Sequence, residues 1–92
     1  MKRKLELRSD IVVNLCRADL VQFNDEVLQP DYLHVPDETA CKDDVLVECT
    51  TKSGEELDLT LDELTCAQYL GEGAYLVKNR GVVRFLQMAA VH

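Results

Sequence analysis

The sequence predicts an α+β fold: a small antiparallel sheet of two hairpins, with a further N-terminal strand, packed on one longer N-terminal helix, and a short helix between the hairpins. Three observations predict it. Apolar residues recur at helical spacing through residues 10–28, four short stretches of alternating apolar and polar residues fill the second half, and the capping pattern Thr60-Leu61-Asp62-Glu63 separates the two hairpins.

At the N-terminus, Leu5 and Leu7 alternate with Lys4, Glu6 and Arg8, the pattern of a short strand with one face toward a core. Ser9-Asp10 is a helix cap, and Val12, Cys16, Leu20, Phe23 and Val27 follow at steps of three and four. The β-branched run Ile11-Val12-Val13 weakens the first turn, so the pattern places the helix more firmly over 17–28 than over 10–16. Pro30 ends it, and residues 29–44, with Pro36 and five acids, read as a long acidic loop.

In the first hairpin, Val45, Val47 and Cys49 alternate with Leu46, Glu48 and Thr50, and Leu57, Leu59 and Leu61 alternate with Glu56, Asp58 and Thr60. A three-residue loop, Lys52-Ser53-Gly54, sets Val47 opposite Leu59 and Cys49 opposite Leu57. A two-residue loop would mix the faces. The same reasoning at Asn79-Arg80-Gly81 sets Val77 opposite Val83 and Tyr75 opposite Phe85. The capping box starts a helix over 61–70, with Leu64, Ala67 and Leu70 on one face and Gly71 as its C-cap.

One domain of 92 residues is expected, with a core of Leu, Val and Ala because there is no Trp and little other aromatic content. No apolar run is long enough to cross a bilayer, and Glu6, Arg8 and Asp10 interrupt any leader peptide, so a cytoplasmic protein with no membrane partner is expected. Cys16, Cys41, Cys49 and Cys66 form no C-x-x-C pair, which predicts free thiols and no metal or other cofactor. A mixed site from His34, Cys41 and Cys49 has no supporting spacing.

Catalytic patterns are equally scarce. The only histidines are His34 and His92, a Cys41–His34 couple has no third group, and Gly71-Glu72-Gly73 carries an acid where a phosphate loop needs room for phosphate. The sequence therefore predicts a binding protein without enzymatic activity.

Charge is the strongest functional pattern. Residues 1–8 carry a net of +3 and residues 67–92 a net of +2, whereas residues 25–66 hold thirteen acids against Lys42 and Lys52, a net of −11. Direct DNA binding is not expected from a chain of net charge −7. In the predicted register Glu48 faces Asp58 across the hairpin, and such a like-charge pair is unfavourable unless a cation covers it. The candidate partner-binding residues are therefore Glu48, Glu56 and Asp58 on the sheet, with Asp25, Glu26, Asp37, Glu38, Asp43 and Asp44 around them.

Their expected partner is a basic protein or nucleoprotein complex, which a nucleic-acid-mimicking surface would inhibit or adapt. The competing explanation is that these charges only solubilise the chain. The rival function is a self-associating structural subunit, possible as a homodimer, using Ala74, Leu76, Val82 and Leu86 around Lys78 and Arg84 together with the 88–91 tail. A small enzyme or metal protein is the third and weaker reading.

Lys52-Ser53-Gly54-Glu55 and the strand order over 45–91 resemble the Sm-like small barrel of the bacterial Rho-inhibitor (Rof) family, which implies a barrel fold and a regulator of that type. Size, acidity and lack of catalytic residues are also similar to the small inhibitors that phages make against host nucleases and CRISPR complexes.

Overall fold

Ile11 and Leu15, one helical turn apart, are the first described residues to enter the core, and they do so from a helix that includes Ser9 and Asp10 in its first turn. The structure, a computed structural model, describes residues 9–87; the strand expected at Leu5 and Leu7 and the 88–91 tail lie outside the described residues. Helix α1 spans Ser9–Arg17, and its buried face is Ile11 and Leu15 instead of the expected Val12 and Cys16. The β-branched run is tolerated because packing of that face outweighs a weak local propensity.

The helix expected over 17–28 is the main departure from the sequence reading, for Arg17 ends α1 and residues 20–28 form a hairpin. Strands β1 (Leu20–Phe23) and β2 (Glu26–Leu28) pair antiparallel, with Val21 opposite Leu28 and Phe23 opposite Glu26. The turn is Asn24-Asp25, where Asn24 adopts a left-handed φ of 54° and its Oδ1 accepts the Val82 N–H at 3.1 Å. Asparagine tolerates that conformation through local hydrogen bonding. Val21 and Leu28 are buried, whereas Val27, which helical spacing placed inward, is 47% exposed.

The long acidic loop holds a two-residue strand, β3 (Tyr32–Leu33), paired with β4 (Val45–Thr50), which in turn pairs with β5 (Glu56–Thr60). The β4–β5 register is the one the three-residue loop predicts: Val47 faces Leu59, Cys49 faces Leu57 and Glu48 faces Asp58. The Thr51 N–H donates to the Glu55 carbonyl at 2.8 Å and closes that loop. An irregularity between Val45 and Val47 turns Leu46 inward, so it is fully buried instead of outward-facing as strict alternation requires.

Helix α2 (Leu61–Cys66) starts on the predicted capping box: Thr60 Oγ1 accepts the Glu63 N–H at 3.2 Å, and Glu63 Oε1 accepts the Thr60 N–H at 3.1 Å. It ends four residues earlier than expected, at an extended Ala67, because Gln68–Gly71 is recruited as strand β6 against β7 (Ala74–Val77). Tyr69 then lies against Tyr75, ring centroids 5.0 Å apart, and Gly71 serves the β6–β7 turn instead of capping the helix.

Strand β8 (Gly81–Leu86) pairs with β7 two residues out of the predicted register, Val77 opposite Gly81 and Tyr75 opposite Val83. A shift of two preserves side-chain parity, so Tyr75, Val77, Val83 and Phe85 are buried as expected.

The fold is α+β, with two antiparallel sheets in place of one: five strands in the order β2-β1-β8-β7-β6 and three in the order β3-β4-β5. Both sheets and both helices contribute to one core, including Leu15, Val21, Val47, Leu59, Leu64 and Tyr75. Among the described residues no helix is long and apolar enough to cross a membrane.

Candidate functional site

Period-two alternation in β4 and β5 buries Val47, Cys49, Leu57 and Leu59 and turns Glu48, Thr50, Glu56 and Asp58 to the other side. Three strands align Tyr32, Glu48 and Asp58 in one cross-strand row. The Thr51–Glu55 hydrogen bond fixes the ladder's alternation and makes Glu48–Asp58 a non-hydrogen-bonded pair, the kind whose side chains approach most closely. Glu56 stands opposite Thr50 in the next row, and the Thr50 hydroxyl donates to Asp31 Oδ2 at 3.0 Å. Tyr32, 45% exposed, stacks loosely on His34 along the same edge.

Four carboxylates, those of Asp31, Glu48, Glu56 and Asp58, thus share one sheet. The ion pairs among the described residues, Arg80–Glu63 and Arg84–Glu72, involve none of them. Their charge is felt on the core side of the sheet: the Cys49 thiol is pushed up to about 11, first by burial and then by the negative charges of Asp31 and Asp58.

The remaining predicted acids do not join this face as one belt. Asp25 and Glu26 sit at the β1–β2 turn, where Glu26 Oε2 accepts the Lys52 N–H at 2.6 Å and ties that turn to the β4–β5 turn. Asp37 accepts the Thr39 hydroxyl at 2.6 Å and the Thr39 N–H at 2.9 Å, bonds that hold its carboxyl below the ordinary range. Asp44 Oδ2 accepts the Cys41 N–H at 2.9 Å, and its carbonyl receives the Leu61 N–H at 2.9 Å. Glu38 and Asp43 are exposed.

Asp43-Asp44 and the turn held by Glu26 stand at opposite ends of β4, which at ~3.3 Å per residue puts them roughly 20 Å apart. The thirteen-acid run of the sequence is therefore one carboxylate face with two outlying groups. Glu26, Asp37 and Asp44 are occupied in holding turns.

Asp31 and Tyr32 were missed by sequence reasoning. A two-residue strand gives no measurable alternation, and only the tyrosine beside an acid, inside an otherwise apolar-poor loop, marked the place.

The five-stranded sheet also exposes apolar side chains, Val27 at 47% and Leu70 at 49%. Leu76 is 44% exposed, but Ala74 is buried, Val82 and Leu86 are half-buried, and Arg84 lies among them. Cys49 is buried while Cys16, Cys41 and Cys66 are exposed. Among the described residues no three His, Cys, Asp or Glu side chains converge in a way that would hold a metal ion. No family model, no curated protein and no solved structure matches the chain.

Proposed function

We propose that the β3-β4-β5 face is a docking surface for a cationic segment of a basic, nucleic-acid-handling protein, and that the chain acts as a stoichiometric inhibitor or adaptor of that protein. The observation that supports this reading is the in-register Glu48–Asp58 pair, flanked by Asp31 and Glu56 and outside every ion pair among the described residues. Two carboxylates opposed across a ladder oppose folding by up to ~1 kcal/mol, and a lysine or arginine laid between them removes that repulsion. Carboxylates at strand spacing, Glu48 and Glu56 exposed and Asp58 half-buried, also steer a cationic partner and raise its association rate.

A deca-arginine peptide is a sufficient first probe. The double reversal Glu48→Lys with Asp58→Lys should abolish binding, whereas Asp43→Lys with Asp44→Lys, the same change in net charge at the far end of β4, should retain most of it. Host proteins captured by the wild type should divide the same way between the two variants. Equal loss in both variants would show a response to net charge alone, and the acids would then be a solubilising coat. Loss of association on truncating Leu76 or Leu86, with the face variant unaffected, would give the function to self-association.

A further inference from the structure

A cleft of about 280 Å³ opens between the last turn of α1 and the end of β8. Arg17 and Arg84 both line it, beside Asn14 and Gln87. Ala18, Phe85 and Leu86 give it an apolar wall. In a chain of net charge −7, two guanidinium groups at one cleft reverse the prevailing sign of the surface. Arg17 has no carboxylate partner among the described residues, and Arg84 has only Glu72, at 3.5 Å, whose side chain is 88% exposed.

Glu72 reaches that place by an uncommon route. It holds a left-handed φ of 53° between Gly71 at 94° and Gly73 at 77°. Few non-glycine residues adopt such a backbone. The turn is packed closely on β8: the Phe85 N–H donates to the Gly73 carbonyl at 2.9 Å, and a Cβ at Gly73 would come within 2.9 Å of the Phe85 carbonyl oxygen. The Gly71-Glu72-Gly73 turn therefore presents a carboxylate at the mouth of a two-arginine cleft, where it acts as an internal counter-anion on a long, solvent-exposed and hence weak contact.

We propose that this cleft is a binding site for a phosphate monoester with a small apolar or aromatic body. Arg17 and Arg84 hold the phosphate oxygens, the body lies against Ala18, Phe85 and Leu86, and Glu72 swings outward to admit the ligand. Guanidinium is suited to this because its planar fork matches phosphate oxygens bidentately, and a dianion outcompetes a single carboxylate held at 3.5 Å. The cleft has room for more than the phosphate alone, and its lining is part charged and part apolar. The site uses no residue of the acidic face and stands or falls independently of it.

Phenyl phosphate is the probe, followed by amide chemical shifts of Asn14, Gly73 and Gln87 in the full chain. Saturable shifts are expected. Arg17→Gln and Arg84→Gln should each weaken binding about tenfold, the order expected for a charge-assisted hydrogen bond, and Glu72→Gln should strengthen it. Arg17 is exposed, so its variant should keep the wild-type amide spectrum away from the cleft and remain informative even if Arg84→Gln perturbs β8. Linear, unsaturable shifts, or unchanged affinity in Arg17→Gln, would overturn the site. Benzoate binding as tightly as phenyl phosphate would overturn the phosphate assignment, and inorganic phosphate binding as tightly would overturn the role of the apolar wall.

Discussion

Tyr75 is fully buried, and its hydroxyl must find partners inside the protein. It donates to Asp10 Oδ2 at 2.7 Å and accepts from Asn14 Nδ2 at 3.0 Å, so one phenol links α1 to β7. Replacing Tyr75 by Phe keeps the ring contacts with Tyr69 and Phe85 and removes these bonds. It should cost roughly 1 kcal/mol in a urea titration. Gly81 is more restrictive: its φ is 124°, and a Cβ would lie 2.5 Å from Asn24 Oδ1, the atom that accepts the Val82 N–H. Gly81→Ala should therefore destabilise by about 1–3 kcal/mol, a backbone and hydrogen-bond cost combined.

Cys49 gives a pH dependence with a definite sign. Its thiol is raised from 9.0 to about 11 in the folded chain, which favours the neutral form. That contribution is whole below pH 9 and is lost as pH rises toward 11. The stability of the wild type should fall more steeply over this interval than that of Cys49→Val. The exposed Cys16, Cys41 and Cys66 should alkylate well before Cys49.

At the scale of elements, the β4–β5 hairpin was legible because three independent constraints agree on one register: alternation in both strands, loop length, and glycine at the left-handed position, where Gly54 has φ 91°. Val47→Ala should cost about 1–3 kcal/mol, while Glu48→Gln should be neutral or stabilise by up to ~1 kcal/mol. If Glu48 were the costly position in thermal unfolding, the assignment of faces would be inverted.

Residues 17–28 were illegible for the opposite reason, since Cys16, Leu20, Phe23 and Val27 satisfy a helical period by coincidence. The true markers are the turn pair Asn24-Asp25 and the inward pair Val21 and Leu28, and they are brief. Strand β6 was hidden by a helix signal that is real for six residues, after which pairing with β7 outweighs further helical turns. The face acids Glu48, Glu56 and Asp58 came from the legible hairpin. Asp31 and the Arg17–Arg84 cleft arise from contacts distant in sequence, which no local pattern encodes.

For the molecule as a whole, charge and topology divide the surface. The three-stranded sheet carries the row of unneutralised carboxylates, and the cleft beside α1 and β8 gathers arginines, while a single core lies under both sheets. The Glu48–Asp58 opposition exists only when the strands are paired, so it burdens the folded chain and not the unfolded one. Dissolved ions then act on the free fold and on its complex in contrary directions. Raising sodium chloride from 0.05 M to 0.5 M should shift the urea midpoint of the isolated chain upward, and less so in the doubly neutralised Glu48→Gln, Asp58→Asn variant, while the same change loosens the arginine peptide. A partner held by apolar contacts would show only the first of these responses, so the free protein and its complex, titrated side by side, report whether the carboxylate row is a vacancy awaiting cations or merely a charged exterior.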